Sequence, residues 1–552
     1  MDNRRLILTL IFGFSLFMLW EGWMKHNNPP AAPVTPTTAA GAPGAHATAT
    51  DASIPQASTP VGTSGDVPTG KRPASTAPTI TVTTDMLVAR ISAEGGDIVH
   101  LELTHHKATG DKSKNFVLLD DGGNHIYTAQ GGLTGKGLPN HKTRFELPAG
   151  NPTLAAGQDT LQVRLKAPEV NGIAVTKVLT FTRGSYEIDV SYEIANHGTE
   201  PLKTDAYFQL QRDGDPAEGV KAMGAHTFTG PAFYTEADKF MKVKFDAIAD
   251  GDAKYPKKAD NGWVAMIQHY FVSALIPKEG VEREYFARKI GNNLYTAGMI
   301  LPVPEIAPGQ QQTVSTELYA GPQEQDKLKA IAPGLDLVVD YGWLTVIAAP
   351  LFWVLQWFHK LTGNWGWAII LVTVCLKAIF FPLSATSYKS MAKMRTLGPR
   401  MQRMKEQFGD DKVRMQQEMM KIYKTEKINP LGGCLPIVVQ IPVFIALYWV
   451  LLGSVEMRQA PWLGWITDLS VKDPYYILPI IMGISMLIQQ RLNPTPPDPM
   501  QAKVMMAMPI VFTFMFLFFP AGLVLYWVVN NTLSIAQQWQ ITRMIESGGK
   551  KT

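Results

Sequence analysis

The sequence predicts a multi-domain membrane protein. An all-β sandwich outside the membrane joins an α-helical core of five transmembrane helices, and an N-terminal transmembrane anchor precedes both. Three observations carry this prediction. The mean hydropathy of −0.01 hides a polar, turn-punctuated front and an apolar, helical back that begins at about residue 341. Five apolar runs have the character of membrane spans: Trp365–Leu383, Leu435–Leu452, Tyr475–Gln490, Val504–Phe519 and Ala521–Trp539. A strongly basic loop, 384–430, separates the first two of them.

Residues 1–26 read as the anchor. Arg4 and Arg5 precede the apolar run Leu6–Trp20, a pattern shared by cleaved signal peptides and uncleaved anchors. No small-x-small site follows closely behind Trp20, which favours the anchor, with its N-terminus in the cytoplasm. Residues 27–79 are rich in Pro, Ala, Thr and Gly. They bury too little apolar surface to offset the cost of ordering, so they form a linker.

Residues 80–322 form the β domain. Strand-like segments run over Thr79–Val82, Asp97–Leu103, Leu161–Leu165, Val175–Thr182, Tyr186–Ile194, Ala206–Leu210 and Thr313–Tyr319. Turn signals such as Asp121-Gly122-Gly123 and Asn196-His197-Gly198 punctuate them, which favours a β-sandwich over a parallel α/β sheet. His105-His106 lacks metal-binding partners in the sequence and is expected to be a surface pair. The two cysteines, Cys375 and Cys434, lie in or beside apolar spans, so neither a disulfide framework nor a CxxC zinc site is expected. No G-x-S-x-G, H-E-x-x-H or P-loop motif supports an anchored enzyme, and no metal or cofactor is expected.

Within 323–363, Tyr341–Leu361 is apolar enough to suggest a span, but Pro350 interrupts it. Leu344, Ile347, Leu351, Val354 and Phe358 make one stripe, the pattern of an interfacial amphipathic helix. Charge decides the matter. Residues 384–430 hold eleven basic and five acidic residues, a net +6, and the positive-inside rule places this loop in the cytoplasm only if Tyr341–Leu361 does not cross. The core then covers 364–540, and the basic tail 541–552 is also cytoplasmic. Tyr475–Gln490 and Val504–Phe519 are 16 residues each. That is about 24 Å of helix against a hydrocarbon core of about 30 Å, so the bilayer is expected to thin around them.

Lys377 sits inside the first span, where a charge costs roughly 2.5–3.5 kcal/mol on insertion scales. Its stem can snorkel toward the cytoplasmic interface, or its ammonium can face a wet cavity. Polar residues in other spans (Gln440, Ser485, Gln489, Thr513, Asn530, Asn531 and Ser534), with Thr373 one turn from Lys377, point to the cavity. The cytoplasmic loop 384–430 reads as two helices meeting near Gly409-Asp410-Asp411, with a break at Gly398-Pro399. Met391, Met394, Met401, Met404, Met415 and Met419, with Met420, either zip this hairpin together or offer a soft surface to apolar segments. Its basic residues enforce topology, or also contact anionic lipid or ribosomal RNA.

The motifs of the core are specific. Asn429–Tyr448 (NPLGGCLPIVVQIPVFIALY) is followed by Gly453-Ser454-Val455-Glu456 and Arg458-Gln459-Ala460-Pro461, then by Asp473–Gly483 and Phe519–Trp527. Together with Ser390–Met394 these closely resemble the YidC family of membrane protein insertases, of the Gram-negative type with a large periplasmic domain. The resemblance implies insertion and folding of integral membrane proteins into the inner membrane, alone or with the Sec translocon. It implies a hydrophilic groove with Lys377 at the family's basic position, where many members carry arginine. Lysine keeps the charge without the fork geometry. Thr373, Gln440, Ser485, Gln489, Asn530 and Ser534 would line the groove, and Tyr526 and Trp527 would line the substrate exit or simply pack. Implied partners are nascent membrane proteins, the Sec translocon, the ribosome, the signal-recognition targeting machinery and membrane lipids. The rival is a secondary transporter or ion channel using Lys377 as its intramembrane charge; no internal repeat supports it.

Overall fold

The structure is a computed structural model. It describes residues 55, 76–122, 125–216, 227–397, 400, 403, 404, 406, 407, 411–425, 435–493 and 499–548. The expected anchor, all of the linker except 55 and 76–79, and Gly398-Pro399 lie outside the described residues. The chain forms two compact units. One runs to Ala349 and takes in Trp449–Gln459; the other comprises Pro350–Tyr448 and the chain from Ala460.

The first unit is a β-sandwich of two antiparallel sheets. Seventeen strands are described, from β1 (Thr79–Thr83) to β17 (Gln311–Pro322). One sheet has nine strands in the order β1, β2 (Leu87–Ser92), β3 (Ile98–Lys107), β4 (Asn115–Asp120), β5 (Tyr127–Leu133), β9 (Leu202–Asp213), β16 (Leu294–Ile306), β15 (Arg283–Gly291), β12 (Lys258–Ala259); the other has eight, in the order β11 (Lys239–Lys242), β10 (Gly230–Thr235), β13 (Trp263–Gln268), β14 (Phe271–Ile276), β17, β8 (Glu187–Asn196), β7 (Ile173–Thr182), β6 (Thr160–Lys166). The period-2 pattern produces this architecture directly. In β8 (Glu187–Asn196), every second residue from Ile188 to Asn196 is buried, and those between are half-buried. Tyr192, Ile194, Leu210, Val264 and Ala297 share the interior between the sheets. Two short helices accompany the strands, α1 (Phe245–Ala249) and α2 (Gln325–Ile331).

One polar contact bridges the sheets. Asp97 precedes β3 (Ile98–Lys107) and Lys177 lies on β7 (Ile173–Thr182). Both are 2% exposed, and Lys177 Nζ lies 3.0 Å from Asp97 Oδ1. Lys177 also donates to the Gly95 carbonyl at 3.0 Å, and its ammonium lies over the Tyr192 ring. Burial raises the Asp97 carboxyl to about 6, against the pull of Lys177, and lowers the Lys177 ammonium. His105 is exposed as expected, but His106 is not a surface residue. Its ring packs edge-on to Phe271 at 5.4 Å, and burial lowers it to about 4.

α3 (Thr345–Thr362) continues through Pro350, contrary to the expected interruption. The proline sits exposed in the second turn, where losing one hydrogen bond leaves the packed face intact. Leu344, Ala348, Leu351, Phe352 and Leu355 are buried, whereas Trp353, Trp357 and Leu361 are exposed. The expected single span Trp365–Leu383 is likewise broken. α4 (Trp365–Ile379) and α5 (Phe381–Thr396) meet at a 66° bend. Pro382 lacks the N–H that would bond Ala378 and its ring crowds that carbonyl, which favours the bend here.

Among the described residues, the second unit also holds α6 (Lys412–Thr425), α7 (Leu435–Gly453) as far as Tyr448, α8 (Ile477–Leu492), α9 (Pro499–Phe516) and α10 (Ala521–Gly548). No single described helix is long and apolar enough to cross a membrane by length and composition. The bent pair α4–α5 passes that test jointly. Asp473 fixes the start of α8: its carboxylate accepts from the backbone of Tyr475 and Leu478 and from the Trp465 indole.

The Asp97–Lys177 pair generates a prediction. Lys177→Met leaves a buried carboxyl without its counter-charge, which costs roughly 3–5 kcal/mol when that carboxyl is ionised. Asp97 titrates near 6 even with Lys177 present, so the loss should be large at pH 8 and much smaller at pH 5. Urea unfolding of the purified protein, followed by the sheet circular dichroism signal, checks this.

Candidate functional site

α10 carries the site. Asn530, Ser534 and Gln538 are four residues apart, so one helix face presents all three, with Asn531 beside them. All four are buried. From α4, Lys377 reaches this face. It is 5% exposed, and its Nζ donates to Ser534 Oγ at 2.7 Å. The Ser534 hydroxyl donates to the Asn530 carbonyl at 2.8 Å, and Tyr388 on α5 sits against the same hydroxyl. Gln440 on α7 donates to Asn530 Oδ1 at 3.3 Å. Asn531 donates to Ser485 Oγ on α8 at 3.1 Å. Gln538 closes the far end, donating to Asn493 Oδ1 at 2.9 Å and to the Leu492 carbonyl at 3.2 Å.

The structure thus brings Lys377, Gln440, Ser485, Asn530 and Ser534 onto one polar stripe. Thr373 is fully buried on α4 but bonds back to the Ile369 carbonyl at 2.7 Å. Gln489 is half-buried one turn beyond Ser485. Thr513 bonds back to Pro509 on α9. Among the described residues, no carboxylate pairs with Lys377. A buried cation therefore faces a neutral hydroxyl, in surroundings where an anion would be strongly attracted.

Tyr526 is buried and Trp527 half-buried. Phe444 on α7 lies 6.1 Å from the Tyr526 ring and 5.0 Å from the Trp527 ring, and Phe516 lies 5.7 Å from Trp527. In the hairpin, Met391 and Met394 are half-buried on α5 and Met404 is buried. Met415 and Met419 fall on α6, and Met401 lies outside the described residues. Gln538 and Tyr388 were missed by the sequence reading. Gln538 had a signal, its place four residues after Ser534; Tyr388 lies in a segment read as cytoplasmic.

One cluster in the sandwich offers metal-ligand atoms within 4.8 Å of one another: His125, Asp213 and Asp215. Its carboxylates are already engaged. Asp213 accepts from the Ile126 and Asp215 backbone amides, and Asp215 accepts from the Asn293 side chain. The geometry is that of a stabilised turn.

A large β-sandwich followed by an apolar helical bundle with a buried lysine defines the class: a helical-bundle protein with a large β domain. Residues 79–354 match the sequence family described as the YidC periplasmic domain, and residues 357–548 match the 60Kd inner membrane protein family. A membrane protein insertase YidC of Aromatoleum aromaticum is 67% identical over 548 residues, covering 99% of this chain and 98% of the relative. The protein of the same name in Dechloromonas aromatica is 60% identical over 552 residues, covering 100% and 99%. The chain belongs to the YidC family of membrane protein insertases. The relatives are named for insertion, which does not favour the transporter reading.

Close helix packing frames the site. An added Cβ on Gly483 of α8 would lie 2.2 Å from Thr513 Oγ1 on α9. Gly483→Ala should therefore push these helices apart and cost about 1–3 kcal/mol. Thr513→Ala in the same chain should recover most of the loss. Thermal unfolding of both variants in detergent is the measurement.

Proposed function

We propose that this chain, an insertase of the inner membrane, receives the polar flank of an incoming membrane protein on the stripe centred on Lys377 and Ser534. The observation that carries the reading is the buried ammonium bonded to a neutral hydroxyl. An acidic extracytoplasmic tail has to cross an apolar layer of about 30 Å, and each ionised carboxylate resists that passage. A buried cation with no carboxylate of its own offers such a tail a transient counter-charge. The hydroxyl and amides of Ser534, Asn530, Asn531, Ser485 and Gln440 replace part of its hydration. The apolar segment that follows then moves into lipid, which supplies the driving free energy.

Further parts of the reading rest on placement. Gln489 and Thr373 border the stripe. Tyr526 and Trp527, meeting Phe444, form the apolar wall along which the segment leaves. The 16 residues of α8 give about 24 Å of helix, so local thinning of the bilayer shortens the path further. The exposed Trp353, Trp357 and Leu361 of α3 suit an interfacial helix. Both termini and the methionine-bearing hairpin lie in the cytoplasm, five helices of the core cross the membrane, and nascent chains arrive there from the ribosome. The Sec translocon, the signal-recognition targeting machinery and ribosomal RNA are partners proposed from the family resemblance.

Lys377→Met should lower insertion of a substrate with an acidic flank roughly tenfold, equivalent to about 1.4 kcal/mol. Lys377→Arg should retain most activity, and a substrate with a neutral flank should be little affected. Photo-crosslinkers at Thr373, Lys377 and Tyr526, presented with ribosomes bearing a short nascent membrane protein, should give adducts that vanish when its apolar segment is made polar. Equal loss for neutral and acidic flanks, or adducts to lipid alone, would leave Lys377 a structural residue.

A further inference from the structure

Ser454–Gln459, quoted above among the family motifs, plays no part in the polar stripe. It belongs to the sandwich unit. Gln459 treats Lys107, 352 residues away, as a strand neighbour. The Lys107 N–H donates to Gln459 Oε1 at 3.3 Å, and Gln459 Nε2 donates to the Lys107 carbonyl at 2.9 Å. This pairing falls at the end of β3, beyond Leu103, where its pairing with β2 (Leu87–Ser92) stops. Arg458 donates to the same carbonyl. Its guanidinium lies 5.2 Å from the Phe116 ring and 5.5 Å from the Phe271 ring, and the two rings stack at 4.1 Å. Val455 and Met457 are buried. Gln459 holds φ +59, which a non-glycine residue adopts at a cost and keeps only where its surroundings fix it.

Between these anchors lies an acid. The Glu456 carboxyl is desolvated although the residue keeps some surface, and it feels Glu324, Asp326 and Lys327 on and beside α2. Tyr341, hydrogen-bonded by Gln325, lies 3.5 Å from Ser454 Oγ. We propose that Ser454–Gln459 is a latch docked on the end of the sandwich, and that protonation of Glu456 sets how firmly it holds. Trp449–Gly453, the last turn of α7, belongs to the same unit.

Burial, reinforced by Glu324 and Asp326, raises Glu456 from 4.5 to about 7. A docked group with a raised value binds its proton more tightly than when released. The latch is therefore tightest below pH 4.5, weakens as pH rises through about 7, and stays weakened above. Tyr341, whose hydroxyl burial pushes up, stays protonated in this window, and the buried imidazoles near the latch are His106 and His269. Burial and Arg458 lower both to about 4, so they stay neutral across this window and leave the response to Glu456.

The test is residue-resolved hydrogen exchange of the full chain in lipid nanodiscs at pH 5.5 and pH 8, corrected for intrinsic rates. The probe is the Lys107 amide, with the Leu101 amide in the middle of β3 as the folding control. Lys107 protection should fall at least about tenfold from the lower to the higher pH. Glu456→Gln should keep it high at both, and Gln459→Ala should lower it at both, with Leu101 unchanged throughout. Lys107 protection that ignores pH, a pH response that survives Glu456→Gln, or protection unaffected by Gln459→Ala would each overturn the latch. The inference does not rest on the insertion reading, since no substrate enters the measurement.

Discussion

The bundle is organised around a charge that the bilayer opposes. An ammonium removed from water needs compensation, and in an apolar helix bundle only other helices can provide it. α4 carries Lys377, α10 answers with Ser534, and the hydroxyl can accept from the lysine because its own proton goes to Asn530. From that contact the polar residues spread along one face of α10 to Gln440 on α7 and Ser485 on α8. The long helix therefore packs against its neighbours through a polar seam, while Phe444, Phe516, Tyr526 and Trp527 form an aromatic cluster near one end of it.

The sandwich solves the opposite problem. Its alternating strands supply an apolar interior, and into that interior the chain places Asp97 and Lys177. The two groups come from different sheets, so the pair ties the layers at one register. Replacing both with apolar residues would often be neutral or stabilising, whereas removing one alone is not. Its presence is an argument for alignment of the sheets and a weak argument for stability.

Much of this was legible from spacing alone. Alternation in Tyr186–Ile194 and Val175–Thr182 located strands, and a lysine in an apolar run located the buried charge of the bundle. The misses have physical causes. Pro350 read as a helix break because sequence cannot say that its turn faces outward. Pro382 was passed over because the apolar run continues past it, although it bends the helix pair by 66°. His106 looked like half of a surface pair, but it alternates with the exposed His105 along β3 and meets Phe271, a partner distant in sequence. The partners of Lys377 lay 157 residues away, beyond any local pattern, and Tyr388 sat in a segment read as wholly cytoplasmic.

On the proposed reading, the neutrality of its partner is what leaves the lysine open to a substrate. An ammonium has three donors. Ser534 takes one of them and leaves the charge itself unbalanced among the described residues. Had α10 placed an aspartate at this position, the pair would be electrostatically closed, and an arriving carboxylate would have to displace it. A hydroxyl orients the lysine without cancelling it. On the proposed reading the bundle bears the cost of a buried cation so that the cation remains available, and, with no second cation on the stripe among the described residues, a passing anionic segment is bound without being trapped.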